Sequence, residues 1–259
     1  MNWGLMANKA WDYPADSLGF TSGLAIELNQ PLWALRYGIF AVPPESNGMG
    51  VDWHLLEAWG MVTEFERRYT IAEHPGTVRL LAYLNQAHMG SYQDAVDNYN
   101  QNPTVPANIN TSQAYRSKYG FGLNAEQELT ENLGAFARAG WSDGHNQAWM
   151  FSDVDYTASL GISVKGAAWH RSDDTFGLAG VFNGISSIHQ DFFADGGTGI
   201  LAGDGNLHYS IEQILETYYD CGIWKTLHAA LDYQFVTNPV FNQDRGPVSV
   251  FGARVHWEF

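Results

Sequence analysis

The sequence predicts an all-β protein, a transmembrane antiparallel up-and-down β-barrel, and three observations carry that prediction. Apolar and polar residues alternate with period two in roughly 11 segments of about 10 to 14 residues, too long for ordinary sandwich strands but right for a tilted strand crossing a bilayer. The connections between these segments alternate short and long. The 259 residues include 27 Gly, 10 Trp, 13 Tyr and 14 Phe with only 16 % charged residues, the mix expected where glycines and aromatics share many strands.

Taken in order, a strand is expected near Asn2 to Trp11, followed by Leu24, Ile26 and Leu28 opposed to Glu27. Trp33, Leu35, Tyr37 and Ile39 oppose Arg36, and Met61, Phe65 and Tyr69 oppose Glu64, Glu66 and Arg68. Val78, Leu80, Ala82 and Leu84 face away from Arg79, Tyr83 and Asn85. Phe121, Leu123, Ala125 and Leu129 face away from Asn124, Glu126 and Glu128. Leu133, Ala135, Ala137, Ala139 and Trp141 oppose Phe136 and Arg138, and Val154 to Val164 opposes Asp153, Asp155, Thr157, Ser159 and Ser163. Leu215, Thr217, Tyr219, Cys221 and Ile223 oppose Glu216, Tyr218 and Asp220, and Leu227 to Phe235 opposes His228 and Asp232. Last, Phe251, Ala253, Val255, Trp257 and Phe259 oppose Arg254, His256 and Glu258. Arg67, on the face of Phe65 and Tyr69, breaks the pattern, which places it at a membrane rim or shifts the register of this segment.

Tight turns at Asn29 to Pro31, Ala72 to Gly76, Thr130 to Asn132 and Trp224 to Thr226 alternate with long loops at Pro43 to Ala58, Gly90 to Lys118, Gly184 to His208 and Thr237 to Pro247. Short turns at one end and long loops at the other distinguish the two sides of an outer-membrane barrel. Lys165 to Asp174 is of middling length. Inside hydrocarbon an unpaired backbone amide costs several kcal/mol, so a spanning sheet closes on itself, with apolar residues toward lipid and polar ones around water. Trp33, Tyr37, Tyr69, Trp141, Tyr156, Tyr233 and Trp257 are candidates for the interfacial aromatic girdles.

Composition excludes several classes. With 13 Lys+Arg against 28 Asp+Glu the formal charge is −15, so nucleic acid is excluded as an electrostatic partner. No stretch reaches the roughly 20 apolar residues of a spanning helix. The lone Cys221 makes no intrachain disulfide or multi-cysteine metal site, and the 9 His show no metal-ligand spacing, so neither metal nor cofactor is expected.

A lumen that recognises a small polar solute needs carboxylates and guanidiniums as hydrogen-bond partners and aromatics as stacking surfaces. The inward faces supply Glu27, Arg36, Glu64, Glu66, Arg68, Arg79, Tyr83, Asn124, Glu126, Glu128, Phe136, Arg138, Asp153, Asp155, Glu216, Tyr218, Asp220, Asp232 and Arg254 as pore-lining candidates. For each, the plain alternative is a charge pair bracing the wall. Long loops such as Gly90 to Lys118 either fold inward as a constriction or cover the outside.

Asn2-Trp3-Gly4-Leu5-Met6-Ala7-Asn8 with Ala10-Trp11-Asp12-Tyr13-Pro14-Ala15-Asp16 resembles the carbohydrate-selective porins of the OprB family. So do Arg79 to Asn85 with Met89-Gly90-Ser91-Tyr92, Gly122 to Leu129, Asp174 to Asn183, and Asp244 to Phe259. The resemblance covers nearly the whole chain. It implies a barrel of the outer-membrane porin type with about sixteen strands, of which roughly 11 to 12 are present here, in the bacterial outer membrane. Residues 1–259 then form a single porin barrel domain lacking its N-terminal strands, because Met1 stands almost inside a strand with no signal-peptide-like leader before it; a smaller barrel of about twelve strands is the alternative. Val255, Trp257 and the closing Phe259 resemble the terminal signal that barrel-assembly machinery reads. The expected partners are sugars, outer-membrane lipid, that machinery and other copies of the chain in a homo-oligomer.

The expected function is passive, carbohydrate-selective diffusion of sugars into the periplasm, with no enzymatic activity. Three readings compete. A general cation-preferring porin follows from the −15 charge and is distinguished by reversal potentials. A barrel-wall hydrolase would need a Ser, His and acid in contact, and no GxSxG or HExxH is present. A soluble sugar-binding sandwich would be extracted without detergent.

Overall fold

The computed structural model describes residues 3–6 and 8–259. Eleven strands form one antiparallel sheet in which every strand pairs with its sequence neighbours: β1 Gly23–Asn29, β2 Trp33–Phe40, β3 Trp59–Ile71, β4 His74–Met89, β5 Ala114–Thr130, β6 Leu133–Ser142, β7 Tyr156–Lys165, β8 Thr175–Gly184, β9 Glu212–Trp224, β10 Leu227–Thr237 and β11 Val248–Trp257. This is the up-and-down meander of a partial barrel. β1 and β11 are its edges and are exposed along their whole length.

The alternation resolves as expected. Leu80, Phe121, Leu160, Leu215, Leu231 and Phe251 stand exposed on the outer surface, while Ser159, Val181 and Ile214 are buried on the inner one. Arg67 pairs across the sheet with Trp33, the first residue of β2, and lies four residues before the end of β3, which puts it at the tight-turn rim. Among the described residues no helix is long and apolar enough to cross a membrane.

Two expectations shift. Strand lengths run from 7 to 17 residues, wider than the alternation alone implied. The segment expected as a first strand is not one. Its described part is a short helix α1, Trp3–Met6, followed by irregular chain that lies against the inner wall.

The long connections carry the other two α-helices among the described residues, α2 Tyr92–Gln101 and α3 Ser187–Ala194. Ser91 caps α2 by accepting from the Asp94 amide, and Ser186 caps α3 by accepting from the His189 amide, each satisfying an otherwise orphaned donor. The two helices pack through Tyr92, Ala95, Val96, Phe192 and Phe193, which with Ile109, Ile185 and Phe241 form the largest buried apolar cluster. The largest dry core among the described residues therefore lies among the loops, as expected when the sheet turns its greasy face to lipid.

Candidate functional site

Sheet register builds the inner wall. Because the side-chain period is two, cross-strand pairing sets inward residues side by side in rows. One row runs Glu27, Arg36, Glu64 across β1 to β3, and the next runs Glu66, Arg79, Asn124, Arg138 across β3 to β6. A third pairs Glu126 with Phe136.

These rows close into one ion-pair network. Arg36 reaches Glu27 at 2.9 Å, Glu64 at 2.7 Å and Glu66 at 3.0 Å. Glu66 also takes Arg68 at 2.6 Å and Arg79 at 2.9 Å, so three guanidiniums share one carboxylate that is only 5 % exposed. Arg79 continues to Glu126 at 3.2 Å, which Arg138 approaches at 3.7 Å while its guanidinium lies 4.3 Å from the centre of the Phe136 ring. Carboxylates and guanidiniums alternate, so the wall presents many donors and acceptors with little net field.

A strap of chain crosses this wall from inside. Reading backward from Asp16, whose carboxylate accepts the amides of Leu18, Phe20 and Gly50 at the mouth, the chain descends past Asp12, bonded to the amides of Trp149 and Met150 at 2.9 Å. Asn85 donates to the Asp12 carbonyl and Tyr83 donates to the Ala10 carbonyl at 3.0 Å. Lys9 meets Glu212 at 3.3 Å, and Arg138 donates to the Leu5 carbonyl at 2.6 Å. Leu5 is fully buried against Ala179, Val181 and Ile214. Asn8 lies on Gly122 and Gly140, register partners on β5 and β6, where any Cβ would overlap its side chain. Two inward glycines thus make room for the strap.

On either side of Trp11, half-buried on the strap, lies a hollow. One, of about 270 Å³, is lined by Trp11, Arg36, Glu64, Val62 and Leu81. The other, of about 220 Å³, is lined by Trp11, Asn8, Arg79, Asn124, Arg138 and again Glu64. Trp11 is followed toward the mouth by Tyr13, 5.6 Å away between ring centres, which stacks on Phe151 at 4.6 Å.

Of the pore-lining candidates, Glu27, Arg36, Glu64, Glu66, Arg68, Arg79, Asn124, Glu126, Phe136 and Arg138 are brought together here. Tyr83 belongs with them but is covered by the strap. Glu128 pairs with His74 at 3.0 Å near the tight turns. Asp220, holding His228 at 2.7 Å and Arg254 at 3.7 Å, forms a separate group on β9 to β11, and Asp232, two residues along β10 from Asp220's cross-strand partner, accepts from Gln234 at 3.0 Å. Glu216 is fully buried and Tyr218 packs over Gly177.

Asp153 and Asp155 require a correction. Both precede β7 rather than lying in it, and both are buried loop anchors. Asp153 accepts the amides of Leu201, Ala202 and Ile200 at 2.8, 3.1 and 3.3 Å. Asp155 accepts the Ser186 amide and His189 Nδ1, each at 2.9 Å, with Lys118 Nζ at 3.5 Å. Burial pushes the Asp155 carboxyl up, but His189 and Lys118 outweigh it and hold the group well below the usual carboxylate range. At the other end Arg171, against the opposing effect of burial, and with help from the Tyr219 hydroxyl, brings Asp174 down to about 2.

Sequence reasoning missed the strap side chains and the buried Lys118 and His189. The available signal was Gly122 and Gly140, side by side at inward positions where a water-filled wall would carry polar side chains.

The sequence profile described as carbohydrate-selective porin, OprB family, matches residues 1–259. Among solved structures the chain is similar to OprB of Pseudomonas putida at high pH, with 19 % identity and a TM-score of 0.73, covering 92 % of this chain and 58 % of that one. A more remote likeness is to FpvA of P. aeruginosa bound to pyoverdine, with 13 % identity and a TM-score of 0.44, covering 93 % of this chain and 33 % of that one. No curated protein sequence matches.

Proposed function

The chain belongs to the OprB family of carbohydrate-selective porins, proteins of the bacterial outer membrane, and on that premise we propose that it forms the wall and constriction of a channel through which sugars diffuse passively into the periplasm. It spans a little over half the length of the P. putida structure.

The observation that carries the reading is the balanced inner wall. Glu27, Glu64, Glu66 and Glu126 alternate with Arg36, Arg68, Arg79 and Arg138. A neutral polyol gains from such a wall because each hydroxyl both donates and accepts, whereas a simple ion meets fields that largely cancel. This balance also favours sugar over the cation-preferring alternative, since the −15 of the whole chain is not expressed at this level. The strap narrows the passage beside these residues, which forces a solute to exchange its water for the wall.

Planar-bilayer conductance of the full-length protein with titrated sugar tests the proposal. Sugar-dependent block of the salt current is expected together with weak cation preference in a salt gradient. A current indifferent to sugar sinks it.

A further inference from the structure

The strap sets one aromatic side chain, outside the ion-pair network, against the row of carboxylates and guanidiniums. Trp11 stands between two hollows of about 270 and 220 Å³, and Glu64 and Leu81 join it in lining both. Its indole Nε1 is shut off from water without a hydrogen-bond partner, an unmade bond that calls for an explanation. What the residue offers the lumen is ring surface. In the smaller hollow Asn124 Oδ1 and Arg138 Nε are also buried without partners, so small side-chain rotations of the kind binding sites make would give a hydroxylated solute bonds that the wall leaves unmade.

Resting on the porin reading, we propose that Trp11 is the platform on which a single pyranose ring stacks as it passes between the two hollows. A pyranose has an apolar C–H face and a rim of hydroxyls. The indole takes the face, while Arg36 with Glu64 on one side, and Arg79 with Arg138 on the other, take the rim. Tyr13 and Phe151 continue the aromatic file toward the mouth. The ligand class is therefore a neutral cyclic sugar, and a linear polyol of similar size, which bonds to the wall but lacks a fixed apolar face for the indole, is held more weakly.

The test compares block of the full-length channel by glucose and by the open-chain hexitol sorbitol. The native channel is expected to be blocked at lower concentrations of glucose than of sorbitol. Trp11→Leu keeps apolar bulk under the strap but removes the ring, and should raise the glucose half-block concentration by about 3- to 10-fold, erasing the difference. Trp11→Phe restores a ring and should return most of it. Retained discrimination in Trp11→Leu, or equal block by both solutes in the native channel, overturns the platform and leaves a sugar porin standing. Block by neither solute in the native channel overturns both.

Discussion

At the scale of single residues, Glu66 shows why an inward charge is more than a solvated one. Its carboxylate is the shared partner of Arg36, Arg68 and Arg79, so Glu66→Gln leaves three guanidiniums crowded without their common counter-charge. Because the arginines keep partial access to water, the expected loss is about 1–2 kcal/mol, less than a fully buried pair would lose. Denaturant unfolding in detergent reads that loss, and the reversal potential should move toward anions. Asp155 and Asp174 behave as acid-sensitive pins. Each has a carboxyl held below its ordinary value, so each stabilises the fold fully above about pH 4 and loses that contribution as pH falls; for Asp174 the window ends near about 2. Proteolysis of the loops at Gly90 to Lys118 and Gly184 to His208 should accelerate at the acid end of this range. Asp155→Asn should give the same acceleration at neutral pH, since the amide cannot serve Lys118 as a counter-charge.

At the scale of elements, the strap and the sheet were legible to different degrees. Strands β1 to β7 and β9 to β11 follow from period two because lipid and water impose opposite demands on alternate side chains at every step, whereas β8 is expected only from the family resemblance of Asp174 to Asn183. The strap has no such rule. Its residues face the inner wall on one side and the lumen on the other, and Leu5, Asn8 and Trp11 fall three apart, so the strand expected near Asn2 to Trp11 has no sustained period two behind it. Asp153 and Asp155 depart from the alternation for a related reason: a buried loop also shows alternate apolar residues, and no local pattern says that a carboxylate is collecting backbone amides. The glycine pair gives the strap a direct test. Gly140→Val should push Asn8 off the wall and raise the single-channel conductance, and adding Asn8→Ala should bring it back toward the native value by removing the clash. Equal conductance in all three proteins would mean the strap does not limit the pore.

At the scale of the whole molecule, the sheet is inside out relative to a soluble protein, with its dry core among the loops and its apolar faces outside. Leu160 and Leu231 are 64 % and 71 % exposed on that outer surface. An arginine at either site should cost roughly 2–4 kcal/mol if the residue lies near the bilayer midplane, whereas the same change at Ala230, half-buried on the inward face of β10 opposite Asp220, should be tolerated far better. Yield of heat-modifiable barrel in the outer membrane distinguishes the two. Equal yields would contradict the assignment of the faces.

The order of the strands, the side each residue faces and the end that carries the long loops were set by the sequence alone, because each depends on neighbours one or two positions away and on the contrast between hydrocarbon and water. Tertiary structure decided which carboxylates stay open to the channel, which become pins, and what fills the lumen. Lys9 meets Glu212 across 203 residues, and Asp12 meets Trp149 across 137. Such contacts arise only when the curved sheet brings its inner face around the strap, and no local periodicity encodes that geometry.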